Sequence, residues 1–175
     1  GSTSGIGRAC AQLLAERGAS VILAARDEEK LISTVNSLDG AGHSYICSDF
    51  NEPDNLRSKT IDHINKTGVI HILMNNSGGP PGGPLIEANT DEFEIAFKRH
   101  VISSHILTQT VVPGMKEEGY GRIINIVSTS VNQVIPGLGV SNTIRGAVAQ
   151  WVKTLAIELG PYGITANNVL PGYIK

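Results

Sequence analysis

Apolar residues recur along this chain at two spacings, and their alternation predicts a regular series of helices and short strands. Five segments have the helical spacing of every third or fourth residue: 6–17, 27–38, 53–65, 90–115 and 138–159. Five shorter apolar runs alternate with them and predict buried strands: 20–25, 43–47, 70–74, 122–127 and 164–169. Strands separated by helices form parallel sheets with right-handed crossovers. The pattern therefore predicts an α/β fold, a doubly wound parallel sheet (Rossmann fold) in three α/β/α layers.

Capping and turn-forming residues set the expected ends of these helices. Gly18 is a C-cap signal for the first helix, and Asn51 is a candidate N-cap for the third. Pro113 and Gly114 predict the end of the fourth helix. The Pro/Gly-rich stretch 78–84 is too short for a linker between domains, and we expect it to be a loop facing the functional site.

Charge and cysteine content exclude several classes of function. The formal net charge is −2 and no run of basic residues occurs, so the composition gives little reason to expect a nucleic acid or an anionic membrane as partner. No apolar stretch is long enough for a membrane span, and no secretory signal opens the sequence, which favours a cytoplasmic location. Cys10 and Cys47 have no metal-ligand spacing and predict two buried thiols rather than a disulfide or a metal site.

The first seven residues carry the chemistry of a phosphate-binding loop. Three glycines lie in this segment, and each has a separate role: Gly1 allows a tight turn, Gly5 lets backbone approach a pyrophosphate, and Gly7 lets the helix pack closely on the sheet. The free N–H groups at the helix start and the helix dipole favour a negative group there. A plainer interpretation is an ordinary Gly/Ser turn that caps a helix. In its βαβ context the segment predicts a dinucleotide site formed by Gly1, Thr3, Ser4, Gly5, Ile6 and Gly7.

A doubly wound sheet needs a strand that leads into such a loop. We therefore expect residues 1–175 to be a single dinucleotide-binding domain of a longer chain, lacking its first strand and its C-terminal segment.

The end of the predicted strand 20–25 bears on the choice of cofactor. An acidic residue there would bind the adenosine ribose hydroxyls of NAD(H), but the strand ends at Ala25. Arg26 follows directly, and a guanidinium suits a 2′-phosphate, so the sequence favours NADP(H) over NAD(H). The alternative is a solvated Arg26 paired with Asp27.

Several further motifs, in order and spacing, resemble the short-chain dehydrogenase/reductase family. The glycine pattern is the family's, and Asp49 is similar to its aspartate near the adenine amino group. The segment 75–78 resembles its Asn-Asn-Ala-Gly motif, with Ser77 in place of alanine. The segment 121–128 resembles the strand that ends in the catalytic serine, here Ser128. The segment 167–174 resembles the one whose Pro-Gly and following backbone contact the nicotinamide. The resemblance thus adds to the cofactor site Asp49, Asn76, Ser77, Gly78, Pro171, Gly172 and Ile174.

The sequence departs from the family at the catalytic positions. The family's Tyr-x-x-x-Lys pair falls on Ser141 and Arg145, and its helix asparagine falls on His100. A serine hydroxyl is a far weaker acid than a phenol, and an arginine stays protonated and cannot act as acid or base. The residues that the resemblance implies for catalysis are Ser128, Ser141, Arg145 and His100.

Three hypotheses follow from these substitutions. The first is an oxidoreductase for a carbonyl or secondary alcohol, in which His100 delivers the proton because its pKa lies near neutrality. The second is that Arg145 binds a carboxylate or phosphate of an anionic substrate. The third is a catalytically silent dinucleotide-binding protein that acts as a sensor or assembly partner.

Plainer interpretations exist for the same side chains. Ser141 would then cap its helix, Arg145 would pair with a surface acid, and His100 would be a hydrogen-bonded structural histidine. Tyr173 is another candidate phenol. The sequence has a general resemblance to 3-oxoacyl-carrier-protein reductases. This resemblance implies a homodimer or homotetramer, and it implies no metal.

Overall fold

The structure, a computed structural model, describes residues 1–173, and Ile174 lies outside the described residues. It contains six α-helices and five strands among these residues. The helices are α1 Gly5–Glu16, α2 Glu28–Asn36, α3 Pro53–Thr67, α4 Thr90–Phe97, α5 Ser103–Glu117 and α6 Gly139–Leu159. The strands are β1 Ile22–Ala25, β2 Ser44–Cys47, β3 Ile72–Asn75, β4 Gly121–Ile126 and β5 Ile164–Val169. Every predicted helix and strand is therefore present, with ends that shift by a few residues.

All strand pairs are parallel, and helices flank the sheet in three α/β/α layers, as the sequence predicts. Backbone hydrogen bonds divide the strands into a pair, β1 with β2, and a three-stranded group in the order β3-β4-β5. Between β1 and β3 lies a mainly apolar groove of about 750 Å³, lined along both strand edges. Strands β1 and β3 thus face each other across this groove, and their carboxyl ends flank the N-terminal loop.

Small side chains fix α1 against the first two strands. Gly7, Ala11 and Ala15 are buried at four-residue spacing, so they form one face of the helix. That face packs in a cluster that includes Leu23 of β1 and Leu31 of α2. Close packing brings the N-terminus of α1 to the carboxyl edge of β1, which positions the glycine loop.

A larger core fixes the second group of strands. Leu73 of β3, Ile123 of β4 and Ile164 of β5 pack with buried residues of α5 and α6, among them Met115 and Val152. These strand residues are buried because helices cover the two faces of a parallel sheet. This core holds the carboxyl ends of β3 and β4 in register, with Asn75 opposite Asn125.

Two helix ends differ from the sequence predictions. The fourth predicted helix, 90–115, ends two residues later than expected, at Glu117, because Val111 and Met115 form a buried apolar face around the proline. Pro113 itself is exposed, so the carbonyl that it leaves unpaired can bond to water. Asn51 is not the cap of α3, whose N-cap residue is Glu52; the Asn51 side chain accepts a hydrogen bond from Arg99 Nε at 2.7 Å instead.

The predicted fourth helix also contains a wider turn. Residues Lys98–Ile102 form a π-helical segment between α4 and α5. Such single π turns often occur at functional sites, because they push one side chain out of the regular helical position. His100 lies in this segment and is buried. Among residues 1–173, no helix is both long enough and apolar enough to cross a membrane.

Candidate functional site

The glycine loop has the geometry of an anion cradle. Ser4 is the N-cap residue of α1 but its side chain makes no capping bond, so the first N–H groups of the helix face outward. Gly5 has φ +51°, a conformation that other residues rarely adopt. A Cβ atom on Gly7 would lie 2.2 Å from the Gly1 carbonyl oxygen and 2.7 Å from Asn76 Nδ2. These free donors and this close backbone approach fit the pyrophosphate of a dinucleotide.

Asn76 clamps this loop to the end of β3. Its side-chain Nδ2 donates to the Gly1 carbonyl oxygen at 3.0 Å, and its own carbonyl oxygen accepts from the Gly1 nitrogen at 2.5 Å. On the opposite side, Ser2 Oγ donates to the Ala24 carbonyl oxygen at 3.2 Å. The loop therefore bridges the carboxyl ends of β1 and β3, which is where ligands bind in doubly wound folds.

Arg26 and Asp49 lie at the ends of β1 and β2. Arg26 is exposed, and Asp27 does not pair with it: the Asp27 carboxylate caps α2 and forms an ion pair with Lys30 at 2.9 Å. The proposed Arg26–Asp27 pair is therefore absent, and the Arg26 guanidinium faces solvent. Asp49 Oδ1 accepts from the Asn51 backbone N–H at 2.9 Å, which orders the turn after β2.

Ser128 lies two residues beyond β4 and is half-buried. Its Oγ accepts from the Ser130 backbone N–H at 3.1 Å. The neighbouring Thr129 N–H donates to the Pro171 carbonyl oxygen at 3.1 Å, so the Pro-Gly segment after β5 lies beside the serine. Ser128 and the Pro-Gly segment 171–172, which the sequence predicts to share a site, are thus adjacent.

Ser77, His100 and Arg145 form a polar cluster at the ends of β3 and β4. Ser77 Oγ lies 2.7 Å from His100 Nδ1, although 23 positions separate the two residues. Arg145 reaches under the same strand ends, where its Nη1 donates to the Ile126 carbonyl oxygen at 2.8 Å. Within residues 1–173 no carboxylate lies within ion-pair distance of Arg145, so the surface ion pair considered from the sequence does not form.

Burial and charge keep His100 neutral. Desolvation is the largest cause, and together with the positive charges of Arg145 and Arg99 it lowers the pKa of His100 to about 3, while the Gly78 carbonyl acts in the opposite direction. The near-neutral pKa expected from the sequence is therefore wrong for this environment. Burial also lowers the pKa of Arg145. At neutral pH His100 has an uncharged ring, which can share a hydrogen bond but holds no excess proton.

The remaining candidates form no hydrogen bond with this cluster in the described residues. Ser141 is in the first turn of α6, whose N-cap residue is Leu138, so the serine does not cap the helix. Tyr173 is fully exposed. The loop 78–84 is held to the segment before α6, since the Gly83 N–H donates to the Gly137 carbonyl oxygen at 2.7 Å.

Cysteines and potential metal ligands contribute nothing to this site. Cys10 and Cys47 are free thiols and are half-buried rather than fully buried as expected. Across residues 1–173 no group of three or more His, Cys, Asp or Glu side chains could hold a metal ion.

A family model described as Enoyl-(Acyl carrier protein) reductase matches residues 1–175. The chain belongs to the short-chain dehydrogenase/reductase family. This short-chain dehydrogenase/reductase is 36% identical over 181 residues to a protein of Streptomyces violaceoruber named as ketoacyl reductase 1 of the granaticin polyketide synthase. The match covers 100% of this chain and 66% of that protein. The chain therefore spans about two thirds of the length of this relative.

Solved structures of the same family have the same fold. L-Sorbose reductase from Gluconobacter frateurii, complexed with NADPH and L-sorbose, superposes with a TM-score of 0.95 at 29% identity, covering 100% of this chain and 68% of that one. The 3-ketoacyl-(acyl-carrier-protein) reductase from Brucella melitensis, complexed with NADH, gives 0.91 at 26% identity, covering 98% and 72%. These two reductases differ in the nicotinamide cofactor that they hold.

Sequence reasoning missed one buried pair in this short-chain dehydrogenase/reductase. Asn75 Nδ2 donates to Asn125 Oδ1 at 2.9 Å, and both residues are buried at the ends of β3 and β4. Each is the last or next-to-last residue of an otherwise apolar strand. A buried amide in such a run was the available signal, because buried polar groups need partners.

Proposed function

We propose that this chain binds NADP(H) and is the larger part of a cytoplasmic oxidoreductase that interconverts a carbonyl and a secondary alcohol. The observation that carries the proposal is the clamp between Asn76 and the glycine loop, at the carboxyl ends of β1 and β3. It leaves the N-terminus of α1 open to a pyrophosphate. Asp49, Gly78, Pro171 and Gly172 lie at the ends of neighbouring strands, so they would line the rest of the dinucleotide.

The bound cofactor would supply or accept the hydride, and the chain's own residues would orient the substrate. Ser128 Oγ is half-buried and can donate a hydrogen bond to a substrate carbonyl. Arg145 adds positive charge near the end of β4, where it would stabilise a developing alkoxide. Ser141 lies on the same first turns of α6 and would be a second hydroxyl donor. His100 would take part as a neutral hydrogen-bonding ring rather than as an imidazolium acid.

Arg145 also supports an anionic substrate. Its guanidinium is half-buried at the end of β4, and within the described residues no carboxylate lies within ion-pair distance of it. A guanidinium binds carboxylate or phosphate through two parallel hydrogen bonds. A keto acid or a phosphorylated ketone would therefore be preferred to a neutral ketone of the same size.

Arg26 would determine the preference for NADP(H). Its side chain is exposed at the end of β1 and free of Asp27, so it can reach a 2′-phosphate. We expect Arg26→Asp to reverse the preference, with NADPH affinity falling at least about 10-fold, equivalent to about 1.4 kcal/mol, because the charge at the phosphate changes sign. Fluorescence titration with NADPH and NADH measures both affinities.

The matched control for this substitution is Arg17→Asp, at the far end of α1. It changes the net charge by the same amount but should leave the ratio of the two affinities unchanged. If both variants behave alike, or if Arg26→Asp leaves NADPH affinity as it was, Arg26 does not contact the cofactor.

The first experiment is binding followed by turnover. Titration with NADPH and NADH tests the dinucleotide site, and stopped-flow loss of NADPH absorbance against keto acids, keto esters and quinones tests hydride transfer. Binding with turnover supports the oxidoreductase. Binding without turnover on any carbonyl would favour a silent dinucleotide-binding protein, and no binding would overturn the assignment of the glycine loop.

The proposal also concerns the completion of the sheet and the oligomeric state of the protein. A further parallel strand would fill the apolar groove between β1 and β3 and complete one continuous sheet in a single dinucleotide-binding domain. A homodimer or homotetramer would cover exposed apolar side chains on the α4–α5 and α6 helices, such as Ile95, Phe97 and Ile157, the last of which is 79% exposed. Light scattering on the purified protein measures the oligomeric state.

A further inference from the structure

The turn after β2, residues 48–52, is tied to the start of α5 by two side-chain hydrogen bonds. Ser103 Oγ donates to the Phe50 carbonyl oxygen at 2.7 Å. Arg99 Nε donates to Asn51 Oδ1, also at 2.7 Å. The two pairs of partners are separated by 53 and 48 positions in the sequence. Two consecutive residues of the turn are therefore held by one distant segment of the chain.

The helical geometry of that segment explains why both donors reach the same turn. Arg99 lies in the π-helical segment, and Ser103 is the first residue of α5. Side chains four positions apart on a helix lie on one face, so the two donors act side by side. Ser103 is only 1% exposed. Its bond to the Phe50 carbonyl is therefore shielded from water, which strengthens it.

Asn51 passes this constraint on to Asp49. Its backbone N–H donates to Asp49 Oδ1 at 2.9 Å, while its side-chain oxygen accepts from Arg99. One carboxylate oxygen of Asp49 is thus engaged, and among the described residues no hydrogen bond reaches the other oxygen. A carboxylate oxygen only accepts, so the free one fits an N–H donor such as the exocyclic amino group of adenine.

A surface ion pair does not account for Arg99. Within residues 1–173 no carboxylate lies within ion-pair distance of its guanidinium, and the side chain is half-buried. Its bond runs instead to a neutral amide oxygen. A hydrogen bond from a charged donor to a neutral acceptor is stronger than one between two neutral groups. The bond from Arg99 is thus suited to fixing the conformation of the turn.

We propose that Arg99 and Ser103 are positioning residues for the adenine end of the dinucleotide. Acting through the turn after β2, they hold the free oxygen of Asp49 toward the adenine amino group. The turn is then ordered before binding, so the ligand does not have to order it. The positioning role rests on the proposed function, since it assumes that a dinucleotide binds with its adenine beside Asp49.

The two ends of the cofactor can be tested separately with Arg99→Met, which removes the donor and keeps a long unbranched side chain. We expect the affinities for NADPH and for adenosine 2′,5′-bisphosphate, which carries only the adenine end, to fall about 10-fold each, the size of one hydrogen bond from a charged group. The affinity for reduced nicotinamide mononucleotide, which lacks the adenine end, should stay unchanged. Isothermal titration calorimetry measures all three affinities.

The matched control is Lys98→Met. It removes the same charge from the neighbouring position, which is exposed and makes no side-chain bond to the turn in the described residues. All three affinities should match those of the parent protein. In an Arg99→Met background, Asn51→Ala should cause no further loss of NADPH affinity, because the bond that it removes is already absent.

Amide exchange, measured by NMR, tests the same link without any ligand. The Asn51 backbone N–H bonds to Asp49, and it should exchange faster with solvent in Arg99→Met and in Ser103→Ala than in the parent protein. In Lys98→Met its exchange rate should stay that of the parent. Equal rates in the parent and in both test variants would overturn the positioning role, whatever the protein binds.

The binding results separate failure of the positioning role from failure of the proposed function. A parent protein that binds neither NADPH nor adenosine 2′,5′-bisphosphate would overturn the proposed function, and the positioning role with it. Binding by the parent with unchanged affinities in Arg99→Met would overturn the positioning role alone. So would an equal loss for all three ligands, because it would show a general disturbance of the site rather than an effect on the adenine end.

Discussion

The glycine loop and the polar cluster lie next to each other at the end of β3, but they are built in opposite ways. In the loop, backbone groups do most of the work: Gly5 and Gly7 allow the conformation and the close approach, and Asn76 clamps the result. In the cluster, side chains from distant segments of the chain meet, as those of Ser77 and His100 do. The loop is open to solvent and presents donors, whereas His100 in the cluster is buried and Arg145 already donates to the Ile126 carbonyl oxygen.

This difference explains which region tolerates change in a sequence. A loop that depends on missing Cβ atoms has no substitute for them, since any side chain occupies the space of the backbone. A cluster of side chains can be rebuilt with other residues if hydrogen bonds and charge remain balanced.

The largest effect is expected from Gly7→Ala. The new Cβ would lie 2.2 Å from the Gly1 carbonyl oxygen, so backbone atoms of the loop must move. We expect dinucleotide affinity to fall about 100-fold or more, equivalent to about 2.7 kcal/mol. Fluorescence titration measures it. The matched control is Gly146→Ala in α6, where a Cβ meets nothing within 4 Å and the helix should gain about 1 kcal/mol. Unchanged affinity in Gly7→Ala would separate the loop from the cofactor site.

The same contrast accounts for what the sequence could predict. The helices and strands follow from local spacing and residue type, and the structure confirms them. The binding role of the glycine loop stays a prediction. The cluster depends on contacts between residues that are far apart in the chain, such as Asn75 and Asn125. The pKa of His100 could not be predicted either, because burial is its largest cause and burial is a property of the packed fold.

A smaller effect, on stability, tests the charge state of the cluster. Burial lowers the pKa of His100 in the fold from its ordinary value of 6.5 to about 3. Below pH 6.5 the unfolded chain therefore binds a proton that the folded chain does not. The contribution of His100 to the free energy of unfolding is therefore fully present above pH 6.5. It is lost as the pH falls toward about 3, by up to about 1.4 kcal/mol per pH unit.

His100→Asn should remove this contribution. The free energy of unfolding, measured by urea denaturation between pH 6.5 and pH 4, should fall less steeply for the variant than for the parent protein. His71→Asn is the control, since it removes another imidazole, at an exposed position near the start of β3 and away from the polar cluster. Parallel curves for parent and His100→Asn would mean that His100 titrates normally in the fold.

The smallest effect concerns β3, whose carboxyl end lies beside both the glycine loop and the polar cluster. It leaves equilibrium binding unchanged. In β3, the His71 carbonyl oxygen bonds to β4, so by the alternation of a strand the N–H groups of Leu73 and Asn75 also face β4. Those of Ile72 and Met74 face the groove. Amide hydrogen exchange of residues 1–175 should therefore be faster at Ile72 and Met74 than at Leu73 and Asn75. A further strand seated in the groove would protect Ile72 and Met74 as well. Faster exchange at Ile72 and Met74 would show that the groove edge of β3 has unpaired backbone donors, whereas equally slow exchange at all four amides would show that this edge is already covered.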